Sequence, residues 1–255
     1  MKIYELHRKD KTNIGDYWCN PSRYFKFKNL HSEELIHNNS LTSDDALIVG
    51  GGGLIHKKFQ LHIDRILDKK PKISALWGIG HNFGKKHIQK TKDDVYYPNW
   101  IKKASLVGIR DWIHGHYDTY LPCVSCMHPA FDKTYEIKNE VVFYTHAFKS
   151  KFQPSKNDIV MSNSEKDFDK VISFLGSANT VVTDSYHGAY WAQLLGKDVR
   201  VLSWSVKFDH MKYPPSFLEH ITKWQDVKIN LPPAGYLDES RELNIQFYQK
   251  FLNLF

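Results

Sequence analysis

Five short stretches hold the residue types that could do chemistry: Asn13-Ile14-Gly15-Asp16, Gly50 to Gly53, Gly78-Ile79-Gly80, Arg110-Asp111 and Asp184-Ser185-Tyr186-His187-Gly188. Each follows a short apolar or β-branched run. In open parallel sheets ligands bind beyond the carboxyl ends of the strands, so polar and glycine-rich strand exits are where a site is sought. Glycines at such exits let backbone amides approach an anion closely, and they equally serve tight strand-to-helix turns.

The elements that would position these stretches alternate in the α/β manner. Lys2 to Leu6, Asp45 to Val49, Ile73 to Trp77 and Ser105 to Ile109 read as strands of a first half. In a second half the strands are Val141 to Tyr144, Ile159 to Met161, Thr180 to Thr183 and Val199 to Ser203. Between them, Ser164 to Leu175 has Phe168, Val171, Ile172 and Leu175 at helical spacing, with Ser164 placed to cap the start. Ala189 to Leu195 reads as a helix, and Asp238 to Leu254 as a closing helix with Leu243, Phe247, Phe251 and Leu254 along one side. Four prolines, at 214, 215, 232 and 233, argue for loops between Lys207 and Pro233. We therefore expect an α/β protein with two Rossmann-like halves facing a cleft, the GT-B-like plan. The first domain would cover 1–135 and the second 136–255, with the linker around Asp132 to Asn139.

At 255 residues with 42% hydrophobic content the chain can bury a substantial core, which excludes a disordered or fibrous protein. Charges at Lys2, Glu5, Arg8, Lys9, Asp10 and Lys11 interrupt any apolar signal-peptide core, and no stretch approaches the roughly 18 apolar residues needed to cross a bilayer. A cytoplasmic protein is expected. The net charge of +7 favours anionic partners. Basic residues are scattered, with pairs such as Lys57-Lys58 and Lys85-Lys86 and no long basic arm or helix, so nucleic acid is not expected as a partner. Cys123-Val124-Ser125-Cys126 is a lone CxxC, and without a second pair it reads as a local turn rather than a zinc site; no metal is expected.

Taken in order, the glycine-rich and polar stretches, with Asp45 to Ile55, Trp77 to Gly80, Val107 to Asp111 and Val181 to Ala189 around them, resemble the polysaccharide pyruvyl transferase family over roughly positions 10 to 210. The short length resembles the ketal pyruvyl transferases of exopolysaccharide assembly. That resemblance implies phosphoenolpyruvate as donor substrate, no separate cofactor, and an acceptor sugar on a lipid-linked oligosaccharide or polysaccharide. Peripheral contact with the inner face of the cytoplasmic membrane would go with such an acceptor. It also implies an arginine after the fourth strand, a histidine at a helix start and a lysine beyond it, here Arg110, His187 and Lys207. Many relatives carry an arginine just ahead of the histidine, where this chain has Ser185-Tyr186. Lys149, Lys151 or Arg200 would then supply the missing contact.

Phosphoenolpyruvate brings a carboxylate and a phosphate, which call for fixed positive charge and backbone donors. Arg110 offers a planar fork and Lys207 a compact charge. Gly51, Gly52, Asn13 and Ser185 complete the expected donor-binding set. Ketal formation needs an acid to protonate the enol methylene, a role that suits His187. Asp16 and Asp184 are the candidate bases, although aspartate at such places is also an ordinary helix cap. Trp77 and Tyr186, with Trp18, could stack on an acceptor sugar, as aromatic side chains do when they are not core. The alternatives are a GT-B glycosyltransferase using a nucleotide sugar and a non-catalytic glycan-binding module, because the fold does not fix the function.

Overall fold

The computed structural model describes residues 1–37, 40–84, 97–150 and 155–255. They form two units. Unit 1 comprises Met1–Lys9, Asp16–Ser125 and Ser240–Phe255, and unit 2 comprises Asp10–Gly15 and Cys126–Glu239. The principal crossing thus falls between Ser125 and Cys126 rather than at 135/136, and the end of the chain belongs with the first unit. Lys85-Lys86 and Lys151 lie outside the described residues.

Unit 1 is built on β1 (Ile3–His7), β2 (Leu30–Glu34), β3 (Ala46–Ile55), β4 (Ile73–His81) and β5 (Leu106–Ile109), in the order β2-β1-β3-β4-β5 with every pair parallel. Parallel strands covered on both faces read as near-continuous apolar runs, and all nine residues of β4 are buried. β2 was not apparent in the sequence because Leu-His-Ser-Glu-Glu, at the sheet edge, lacks such a run.

The glycine clusters lie inside strands, not after them. β3 runs on through Gly50 to Gly53, and β4 through Gly78 and Gly80. What comes close to Gly51 is protein: a Cβ there would sit 2.2 Å from the carbonyl oxygen of Cys19. Gly52 has φ +97°, a conformation that other residues adopt only with strain. The expectation that Gly51 and Gly52 cradle a donor therefore gives way to close packing of the 16–24 loop on β3.

Unit 2 repeats the plan with β6 (Asn139–Thr145), β7 (Val160–Ser162), β8 (Ala178–Thr183), β9 (Asp198–Val201) and β10 (Ser216–Phe217), ordered β10-β9-β8-β6-β7 and again parallel throughout. Counted from its own first strand, each sheet has the order 2-1-3-4-5. The α/β, Rossmann-like class is as expected.

The helices are α1 (Ile14–Tyr17), α2 (Lys57–Leu67), α3 (Phe168–Gly176), α4 (Tyr186–Leu194) and α5 (Tyr236–Leu252). α3 buries the expected Phe168, Val171, Ile172 and Leu175, but its cap is Asp167, whose carboxylate accepts from the Lys170 N–H at 3.1 Å. Ser164 instead pairs with the Ser162 hydroxyl, because Glu165 already takes the Lys166 and Asp167 N–H groups and the helix starts later. No helix among the described residues is long and apolar enough to cross a membrane.

The buried face of α5 carries Ser240, Asn244, Phe247 and Phe251, while Leu254 is exposed. Asn244 is polar at a core position because it satisfies three groups. Its Oδ1 accepts from Trp77 Nε1 at 2.9 Å, and its Nδ2 donates to the carbonyls of Pro122 and Ser240. Trp77 is wholly buried, ringed by Phe25, Phe27, Phe247 and Phe251. It is core, and the expected sugar-stacking role for it is withdrawn. Asn244→Ala should lower the stability of the protein by about 1–3 kcal/mol, since it strands the buried indole N–H. Urea unfolding followed by tryptophan fluorescence measures this; an unchanged midpoint would remove the hydrogen bond from the account of the core.

Candidate active site

In unit 2 the strand order reverses between β6 and β8, the point at which an open α/β sheet offers a ligand crevice. β6 ends at Thr145 and leads into His146, while β8 ends at Thr183 and leads into Asp184 and Ser185. These two exits are tied together: the Asp184 carboxylate accepts from the His146 N–H at 2.6 Å and from the Ser150 hydroxyl. Burial raises the Asp184 carboxyl pKa, opposed by the Ser150 and His146 hydrogen bonds and by the Lys207 charge.

The loop after β9 supplies the third part. Trp204 donates its indole N–H to the Asp184 carbonyl at 2.8 Å, which fixes the ring. Two ammonium groups lie against it, Lys149 Nζ and Lys207 Nζ, each 4.2 Å from the ring centroid. The ring quadrupole offsets part of the hydration Lys207 gives up at 8% exposure, at about 0.5–2 kcal/mol per contact. The His146 imidazole stands 5.9 Å from the same ring, nearly perpendicular to it. Its pKa is lowered to about 4 by burial and then by Lys207 and Lys149, with Asp10 acting weakly the other way. His146 Nδ1 accepts from the Phe148 N–H at 3.3 Å, so the neutral ring carries its proton on Nε2.

His187 sits in the first turn of α4, 7% exposed, with its ring 5.2 Å from Trp191 and 5.5 Å from Tyr186. The helix is capped by Ser185, whose hydroxyl accepts from the Gly188 N–H. The segment 13–15 presses against the imidazole: a Cβ on Gly15 would fall 2.0 Å from His187 Nδ1. Asn163 holds that segment through Asn13 Oδ1 at 3.1 Å and the Ile14 N–H at 2.9 Å, and it also accepts from the Ala147 N–H. Unit 2 therefore gathers Asn13, Asp184, Ser185, Tyr186, His187 and Lys207 from the expected set. Tyr186 is 6% exposed and packed by Tyr190 and Phe208, so its ring belongs to the core and not to a sugar platform.

Asp16, Arg110, Gly51, Gly52 and Trp77 belong to unit 1. Arg110 is 3% exposed at the end of β5, where its N–H donates to the Ile79 carbonyl. Its neighbour Asp111 is engaged by His81, whose N–H and Nδ1 both meet Asp111 Oδ2, at 2.8 and 2.7 Å. This buried His81–Asp111 pair was missed, although His81 directly follows Gly80 at a strand end and Asp111 follows β5. Of the basic residues expected to make a contact in place of an arginine at 185–186, Arg200 is committed to Asp198 in a buried ion pair, and Lys149 is the one beside Trp204. His146, Trp204 and Ser150 went unrecognised, since no spacing in the chain links 146, 184 and 204.

No family model matches the chain, and no curated protein matches it. Among solved structures the chain is similar to the crystal structure of an uncharacterized protein from Klebsiella pneumoniae subsp. pneumoniae, with 16% identity, 86% of this chain and 93% of that chain covered, and a TM-score of 0.49.

The lowered pKa of His146 has a consequence for acid stability. The folded protein keeps the ring neutral down to about pH 4, whereas the unfolded chain protonates it near its ordinary 6.5, so stability is fully present above 6.5 and falls between 6.5 and 4. His7 in unit 1, also lowered to about 4, chiefly by burial, acts in the same window. His146→Gln should make the loss shallower without abolishing it. Melting temperatures of both proteins from pH 4 to 7 test this, and parallel curves would overturn it.

Proposed function

We propose that this protein is a ketal pyruvyl transferase that takes phosphoenolpyruvate as donor and a sugar diol of a surface polysaccharide precursor as acceptor. The observation that carries the reading is the cluster at the β6/β8 switch point. Two lysine ammonium groups share one tryptophan ring there, within a loop set that also holds a neutral histidine and a buried aspartate. Two positive charges suit a donor with a phosphate and a carboxylate. An imidazole in the first turn of α4 suits the proton transfer.

The chemistry then runs as follows. His187 gives a proton to the methylene carbon of the donor, leaving an oxocarbenium-like C2 next to the carboxylate. A sugar hydroxyl oxygen bonds to C2 and loses its proton to a base, for which Asp184 is the candidate. The C2–O bond to phosphate breaks, and a second hydroxyl closes the ring. One hydroxyl proton replaces the one His187 donated, and the other leaves with inorganic phosphate. Lys149 and Lys207 hold the anionic groups, and they counter the negative charge that grows on phosphate as it departs.

The test combines binding and turnover. Phosphoenolpyruvate should raise the melting temperature where nucleotide sugars do not, and phosphate should be released only when an acceptor is added. His187→Gln should keep donor binding and lose about a hundredfold to ten-thousandfold in turnover. Stabilisation by a nucleotide sugar alone would favour a glycosyltransferase, and binding of glycans without turnover a recognition module. Either result would overturn the proposal.

A further inference from the structure

Arg23, in unit 1, lies outside every role given above. It closes a short 3-10 turn, Pro21–Arg23, beyond α1, and the residue is exposed. An exposed arginine normally samples many rotamers. This one is held from three sides. Its guanidinium lies 4.2 Å from the centroid of the Tyr17 ring and 4.3 Å from that of Trp18, and its Nε donates to the Tyr17 carbonyl at 3.1 Å and to Asn20 Oδ1 at 2.9 Å.

A second layer holds the holders. Asn20 Nδ2 donates to Glu5 Oε2 and to the Ser22 hydroxyl, which leaves its Oδ1 turned to Arg23. Glu5 is wholly buried in β1 and also accepts from the N–H and hydroxyl of Ser22, at 2.8 and 2.6 Å. Tyr24 donates to the Trp18 carbonyl at 3.0 Å, and Cys19 backs onto Gly51 of β3. The turn is thereby locked to two strands. With Nε engaged and both aromatic contacts made, the two terminal amino groups have no partner among the described residues.

We propose that Arg23 is a preformed receptor for a two-oxygen anion, a carboxylate or phosphate group carried by a ligand of unit 1. A planar fork held in place matches two coplanar oxygens and loses little rotamer freedom on binding them. The Tyr17 and Trp18 rings serve as the cradle of that arginine, so Trp18 positions a cation rather than stacking on a sugar. The assignment stands apart from the pyruvyl transfer reading and survives if that reading fails.

The experiment is a titration of the full chain, labelled with nitrogen-15, with three probes: methyl glucuronide, methyl glucoside and inorganic phosphate. The Arg23 Nε–H resonance should shift with methyl glucuronide or with phosphate and stay put with the neutral glucoside. The tighter of the two anions identifies the source of the group. Arg23→Lys keeps the charge and loses the fork, and should weaken that binding about tenfold or more. Asn20→Ala, which removes one of the two Nε acceptors and leaves the Tyr17 carbonyl, should give a smaller loss, and a melting curve for each variant checks that it is folded. No resonance shift with either anion, or equal anion affinity in folded Arg23→Lys, would overturn the proposal.

Discussion

A parallel strand buried on both faces has nowhere along its length for a charged side chain to meet a ligand. The central strands of both sheets are almost wholly buried, so polar chemistry emerges where they stop. In unit 2 the ends of β6, β8 and β9 deliver His146, Asp184 and the Trp204–Lys207 loop. In unit 1 the ends of β4 and β5 deliver His81, Arg110 and Asp111. The glycines show the same constraint from the other side: within β3 they let the neighbouring loop lie on the strand, which a side chain would prevent.

Charge placement in unit 2 follows from aromatic packing. Lys207 is nearly buried, a position that costs an isolated ammonium heavily. Trp204 supplies a π face for it and for Lys149, while its own N–H is taken by the Asp184 carbonyl. Protonating His146 would add a third positive charge to a desolvated group, which is why the ring stays neutral to about pH 4. An anion bound beside the lysines would relax that restraint and raise the His146 pKa.

The same device recurs on a smaller scale around Arg23, where two rings and a buried carboxylate fix the orientation of a single guanidinium. In both places an aromatic residue that could be taken for a sugar platform positions a cation. Trp77, by contrast, is buried among Phe25, Phe27, Phe247 and Phe251, and its N–H is satisfied by Asn244 in the core.

The sequence by itself determined the α/β class and most of the strands, because buried parallel strands leave a local apolar signature that needs no knowledge of neighbours. It located Asp184 to His187 at a strand exit for the same reason. Helix starts were less legible: Ser164 and Asp167 are both plausible caps, and the choice rests on which N–H groups Glu165 removes from competition. Tertiary structure alone decided that Gly50 to Gly53 continue a strand, that Trp77 is core, and that Asn13 to Gly15, only a few residues beyond β1, belong to unit 2 and pack there against His187 and Asn163. It alone assembled Lys149, Trp204 and Lys207, and Glu5, Asn20 and Arg23. These groupings join residues whose separation along the chain follows no period, since strand order and the loops between strands set their distances.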